Sequence, residues 1–185
     1  MRYDRTVIAY HGCDAEVAKK LIDGAAFQKS RNRYDWLGTG IYFWEFGPDR
    51  AFRFAEDQKE RGLVKDPAVV GAVIQLGQCF DLMDTRFTKD LGEAYAIWAA
   101  AMKAMNKKLP VNKGDTPVKK LRYLDCAVLN WYFSEVAKDG VEYDTVRGCF
   151  TEGGPAFSGS GIQKESHVQL AVRNPNCVIG VFRPQ

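Results

Sequence analysis

Apolar positions in this chain come as short β-like runs at its two ends and as helical stripes between them. Val7-Ile8-Ala9-Tyr10 reads as a strand that ends at His11-Gly12. Asp14 then stands where a helix N-cap belongs, ahead of an apolar stripe of Val17, Ala18, Leu21 and Ile22, and Gly24 stops the helix. Ile41-Tyr42-Phe43-Trp44 puts four bulky β-formers in a row, the mark of a buried strand. Gly38 and Gly40, just before it, let the chain turn sharply or let a flat ligand lie against the main chain. Gly47-Pro48-Asp49 is helix-start chemistry. The helix it opens is expected to bury Ala51, Phe52 and Ala55, with Arg50, Arg53 and Glu56 nearer solvent. Residues 69–76 are mostly apolar and predict a central strand.

From about residue 88 to 139 the period changes. Leu91, Tyr95, Trp98, Met102 and Met105 follow helical spacing. After Leu109-Pro110, a second helix is expected from Thr116-Pro117, with Leu121, Leu124, Val128, Tyr132 and Val136 along one face. This reads as a two-helix insertion whose aromatic and methionine stripe is core. Strand character returns at 143–150, and a loop rich in glycine and serine occupies 151–164. Two further β-like runs, 167–172 and 177–182, flank Arg173-Asn174-Pro175-Asn176, which predicts a hairpin. The antiparallel style of that ending makes the fold class α+β.

Composition adds limits. A chain of 185 residues, 46% hydrophobic and 26% charged, fits a single globular domain over 1–185 with a real core. No apolar run is long enough for a membrane span, and Met1-Arg2-Tyr3-Asp4 does not open a signal peptide. Five scattered cysteines without a C-x-x-C, and only two histidines, indicate neither a zinc site nor a disulfide framework. No metal is expected, and the setting is expected to be a reducing cytoplasm. The net charge of +3 says little about partners; the basic segments 29–33 and 103–120 suit phosphates and open solvent equally well.

Three strand-associated places carry the candidate chemistry: His11-Gly12, Tyr42 behind Gly38-Thr39-Gly40, and Glu165 where the loop meets the strand from 167. Gly38-Thr39-Gly40 leads into a strand, which excludes a G-x-G-x-x-G dinucleotide turn, and neither a nucleophile elbow nor a P-loop is present. Taken alone, His11 is an ordinary strand-end histidine and Tyr42 an ordinary core tyrosine.

In their order, Tyr10-His11-Gly12, Gly38-Thr39-Gly40-Ile41-Tyr42-Phe43 and Glu165 before Val168-Gln169-Leu170-Ala171-Val172 resemble the H-Y-E pattern of the ADP-ribosyltransferase superfamily, in its poly(ADP-ribose)-polymerase-like and diphtheria-toxin-like branch. The resemblance spans most of the chain outside the helical insertion. It implies a split, two-sheet α+β fold that takes NAD+ as substrate in the cleft between the sheets. On that reading His11 holds a ribose hydroxyl, and the Gly12 backbone holds the nicotinamide amide. Tyr42 stacks on the nicotinamide with Gly40 beside it, and Glu165 engages the ribose that nicotinamide leaves. The loop 151–164 selects the acceptor. The family's small hydroxyl and second aromatic on the following helix are missing near Arg50 and Arg53, so Phe52 or Phe54 would stand in, or the pocket is more open. Glu165, His167 and Gln169 share one face by strand alternation, so Gln169, or Glu152 from the loop, competes with Glu165 for the third role.

The implied activity is mono-ADP-ribosyl transfer to a macromolecule, protein or nucleic acid, with release of nicotinamide. Such an enzyme, acting inside the cell that makes it, needs restraint, so the expectation extends to a toxin-like effector of a toxin–antitoxin or phage-defence kind with an inhibitory partner protein. The alternative is a degenerate NAD+- or ADP-ribose-binding module of the same fold.

Overall fold

The computed structural model describes residues 3–114 and 119–184. Its first half is the predicted succession: β1 (Tyr3–Asp14), α1 (Ala15–Ile22), β2 (Ile41–Glu45), α2 (Pro48–Glu60) and β3 (Pro67–Gly77). Asp14 caps α1, its carboxylate accepting from the Glu16 amide, and Pro48 begins α2. The second half runs β4 (Cys79–Asp81), α3 (Thr85–Ala104), α4 (Tyr123–Lys138), β5 (Thr145–Phe150), β6 (His167–Val172) and β7 (Val178–Phe182). The fold is α+β: a seven-stranded mixed sheet in the order β4-β5-β6-β2-β1-β3-β7. Among the described residues no helix is long and apolar enough to cross a membrane.

Several expectations are corrected. The strands form one hydrogen-bonded sheet in place of two. Its narrowest join lies between β1 and β2, where only Ala9 with Glu45 and Tyr10 with Trp44 are in register. The run 173–176 is no hairpin. β6 pairs with β2 and β5, while β7 crosses to the far edge beside β3, because Pro175–Cys177 winds into a short 3-10 turn that redirects the chain. Thr116-Pro117 lies outside the described residues, and α4 starts only at Tyr123; Leu121 is instead bridged to Lys113. The buried face of α3 is Phe87, Ala94 and Trp98, with Tyr95 and Met105 exposed. Phe52 is exposed as well, since Ala51 and Ala55 already fill the face that α2 turns inward.

β4 and β5 are the sheet's parallel pair, and α3 and α4 connect them. Parallel neighbours need a long crossover, so the helical stretch is the connection this pairing requires. It covers one face of the sheet, where Leu37, Phe80, Phe87, Leu129, Phe133, Val146 and Ala171 form a core. The opposite face carries the larger core of Val7, Ala9, Ile41, Phe43, Ala72, Ile74, Leu76, Leu170 and Val172.

Candidate functional site

His11 and Tyr42 meet at the narrow join. The His11 Nδ1 lies 2.8 Å from the Tyr42 carbonyl oxygen, and because a carbonyl only accepts, Nδ1 carries the proton. Burial lowers the His11 pKa from 6.5, against the pull of that bond, so the ring is neutral near pH 7 with Nε2 as its acceptor nitrogen. The ring packs edge-on to Phe27 at 5.5 Å and against Phe43 at 5.6 Å, on the face of the larger core. Tyr42 alternates to the other face, against the helical core. The two side chains are therefore joined through backbone and not ring to ring.

The Tyr42 hydroxyl donates to the Gly38 carbonyl at 2.6 Å and accepts from the Leu37 amide at 2.9 Å. Desolvation, then the negative charge of Asp35, lifts its pKa well above 10. Held this way it is a fixed ring, not a proton donor for chemistry. The turn before it needs its glycines: Gly38 has φ 75°, and a Cβ there would press on the Asn130 side chain. Gly40 pairs with Ser30, and a Cβ at Gly40 would lie 3.0 Å from that of Ala171. Gly12 has a packing reason of its own. A Cβ there would collide with the Ala51 carbonyl oxygen, so this glycine is what lets α2 lie against β1.

The third candidate lies some way off. Glu165 precedes β6, and its Oε1 accepts from Arg53 of α2 at 3.1 Å. Glu152, almost fully buried, accepts from Arg50 at 3.0 Å and has Lys120 at 3.7 Å. Gln169 is buried on β6 opposite Trp44. Phe54 rests on Trp44 with ring centroids 4.9 Å apart, whereas Phe52 is exposed.

Around these residues the structure assembles a group that joins the candidates Gln169 and Glu152 to residues outside the sequence-derived trio. His167 stacks with Trp36 and also touches Trp44 and Phe150. The Arg122 guanidinium lies 3.9 Å over Trp36 and 4.7 Å over Phe150, and Arg50 lies over Trp44 at 5.5 Å. Within this group four buried polar atoms have no hydrogen-bond partner: Trp44 Nε1, Arg50 Nε, His167 Nε2 and Gln169 Oε1. Three donors or ring nitrogens and one acceptor left unpaired in one place suit a polar ligand or bound water. The His167 Nδ1 is spent on the Glu165 carbonyl at 2.8 Å, and burial lowers its pKa from 6.5. The signal for His167 and Gln169 was present as strand alternation. Trp36, Arg122 and Glu152 come from separate loops and a helix end, and no local pattern links them.

Among the described residues, no three His, Cys, Asp or Glu side chains gather as a metal-ion site. Compared with protein-family models, with curated proteins and with solved structures, the chain matches none.

Proposed function

We propose that this chain is an NAD+-dependent mono-ADP-ribosyltransferase that moves ADP-ribose to a protein or nucleic-acid acceptor, and that its sheet is a form of the ADP-ribosyltransferase fold. The observation that carries the reading is the His11 Nδ1 bond to the Tyr42 carbonyl. It brings His11-Gly12 of β1 and the Gly40-Ile41-Tyr42 stretch to one point, with β6, which Glu165 precedes, next to β2. In the reaction the bond from the ribose anomeric carbon to the nicotinamide nitrogen breaks, and nicotinamide leaves neutral with the electron pair. An acceptor oxygen or nitrogen then bonds to that carbon and gives up its proton. Neutral His11 suits a ribose hydroxyl, which donates to Nε2. Tyr42 and Phe54 offer flat apolar surface for the leaving ring. A carboxylate beside the ribose stabilises the positive charge that develops there. Because His11 and Tyr42 project to opposite faces, a ligand that uses both passes through the join where β1 and β2 share only two register pairs.

Glu165 is the first candidate for that carboxylate. Glu165→Gln is expected to lower label transfer from NAD+ by about two to four powers of ten, with little change in NAD+ affinity. Near-normal turnover in that variant, with loss in Glu152→Gln or Gln169→Ala, moves the role to those residues. One observation favours a second reading, a binding module that does not turn over: both carboxylates are already held by arginines of α2. Incubating the protein with labelled NAD+ and cell extract separates the two. NAD+ binding without nicotinamide release or label transfer leaves only the module, and nuclease or protease treatment of any labelled product fixes the acceptor class. The toxin-like reading, with its inhibitory partner, predicts growth arrest on expression that Glu165→Ala abolishes; normal growth with active protein sinks it.

A further inference from the structure

An open cavity of about 370 Å³ lies between the turn before β2, helix α4 and the end of β6, lined by Lys29, Thr39, Asn130 and Arg173. All four side chains carry hydrogen-bond donors, two are cations, and no carboxylate lines the space. Arg173 is half-buried, its guanidinium lying 4.3 Å over Phe133 with one long bond, 3.4 Å, to the Thr39 carbonyl. Among the described residues it has no carboxylate within ion-pair distance, and neither has Lys29. The buried Arg147 and the largely buried Arg50 both have one. Burial lowers the Arg173 pKa, with Tyr42 and Glu142 as the groups that pull it back. A guanidinium taken partly out of water without a counter-ion is costly, and a bound anion removes that cost.

We propose that this cavity is an anion site that takes a phosphate group of a larger ligand, with Arg173 as the fork and Lys29 as the flexible second charge. Arg173 presents the planar donor pair that suits phosphate oxygens, and its stacking on Phe133 holds the plane in place. The volume corresponds to about a dozen waters at ~30 Å³ each, more than a single phosphate needs, so the rest of the ligand has room. Two sources share this chemistry: the pyrophosphate of a dinucleotide, or a phosphate on a separate acceptor.

Titrating the protein with inorganic phosphate and with pyrophosphate, by calorimetry and by thermal melting, tests the site. The expected result is saturable binding and a rise in Tm beyond that given by sodium chloride of equal ionic strength. Arg173→Gln should weaken pyrophosphate binding about tenfold or more, and Lys29→Gln by a smaller factor. Lys29 is exposed, so its variant keeps the test valid if Arg173→Gln disturbs folding, which circular dichroism reports. Absence of saturable binding, or unchanged binding in both variants, overturns the proposal. Displacement of pyrophosphate by NAD+ assigns the site to the dinucleotide. Retention in excess NAD+ assigns it to a separate phosphate-bearing ligand. None of these readings needs turnover, so the site stands or falls apart from the transferase activity.

Discussion

Two groups of buried charged and polar side chains lie against the same strands, one on each face of the sheet. On the face of the larger core, Arg147 of β5 reaches Glu45 through Nε at 2.5 Å and Nη2 at 2.9 Å, and Asp81 through Nη1 at 3.1 Å. Every nitrogen of that guanidinium is satisfied, and the three residues are nearly inaccessible. On the other face, Arg50, Glu152, His167, Gln169 and Trp44 are buried as deeply or nearly so, yet leave four polar atoms without partners. Similar chemistry at similar depth thus ends in one closed network and one open one. A closed network holds elements together, whereas an open one keeps donors and acceptors for something else.

The contrast can be broken from either side. Arg147→Met strands two buried carboxylates and should cost about 3–5 kcal/mol, seen as a lower urea midpoint. If that variant is as stable as the parent, the closed network is not structural. Gly12→Ala should cost about 1–3 kcal/mol, because α2 must move off β1. It should also weaken NAD+ binding, since Arg50 and Phe54 travel with the helix, while the Arg147 network on the far face stays intact. Tryptophan fluorescence follows Trp44 through this change.

A smaller effect depends on pH. The open group contains His167, and His11 of β1 lies on the opposite face; both have pKa values lowered below 6.5 by burial. Between those lowered values and 6.5 the unfolded chain binds more protons than the folded one, so this contribution is present above about pH 6.5 and is lost as pH falls below it. Urea melts at pH 7 and pH 5 should show a loss of stability that His11→Gln and His167→Gln together reduce. An equal loss in that double variant places the titration elsewhere. The smallest change is Gln169→Leu. Removing an unpaired buried amide should shift stability by only about 1 kcal/mol or less, in either direction, while reducing NAD+ binding or turnover. A large destabilisation there instead means that the open group is closed by water and is structural.

Most elements were legible in the sequence because each has a strong local cause. Asp14, Gly24, Pro48 and the run from Ile41 to Trp44 set starts, stops and strand character within a few residues. Pairing was less legible. Nothing local in 173–176 says that the strand after it crosses to β3, and three-residue β4 is too short to show a period. The helical stripe of α3 was read only in part: Trp98 is buried and Leu91 half-buried as expected, but Phe87 and Ala94 complete the inner face, while Tyr95 and Met105 are exposed. At the site, His11, Tyr42 and the alternation of 165, 167 and 169 were readable. The partnership of Glu152 with Arg50, 102 residues apart, depends on how the 151–164 loop folds back, and the sequence has no signal for it.

The placement of β6 has a consequence for how the protein is made. β6 fills the gap between β5 and β2, so the inner edge of β2 has no neighbour until residue 172 has been synthesised. At roughly 5–20 residues per second, most of the chain is out before the sheet can close. The pairings that close it also join residues far apart in sequence, which makes them slow to form. A nascent chain therefore carries His11 and Tyr42 for most of its synthesis without the strand that completes the site. A chain cut short before residue 172 therefore lacks the strand that brings His167 and Gln169 against β2 and β5.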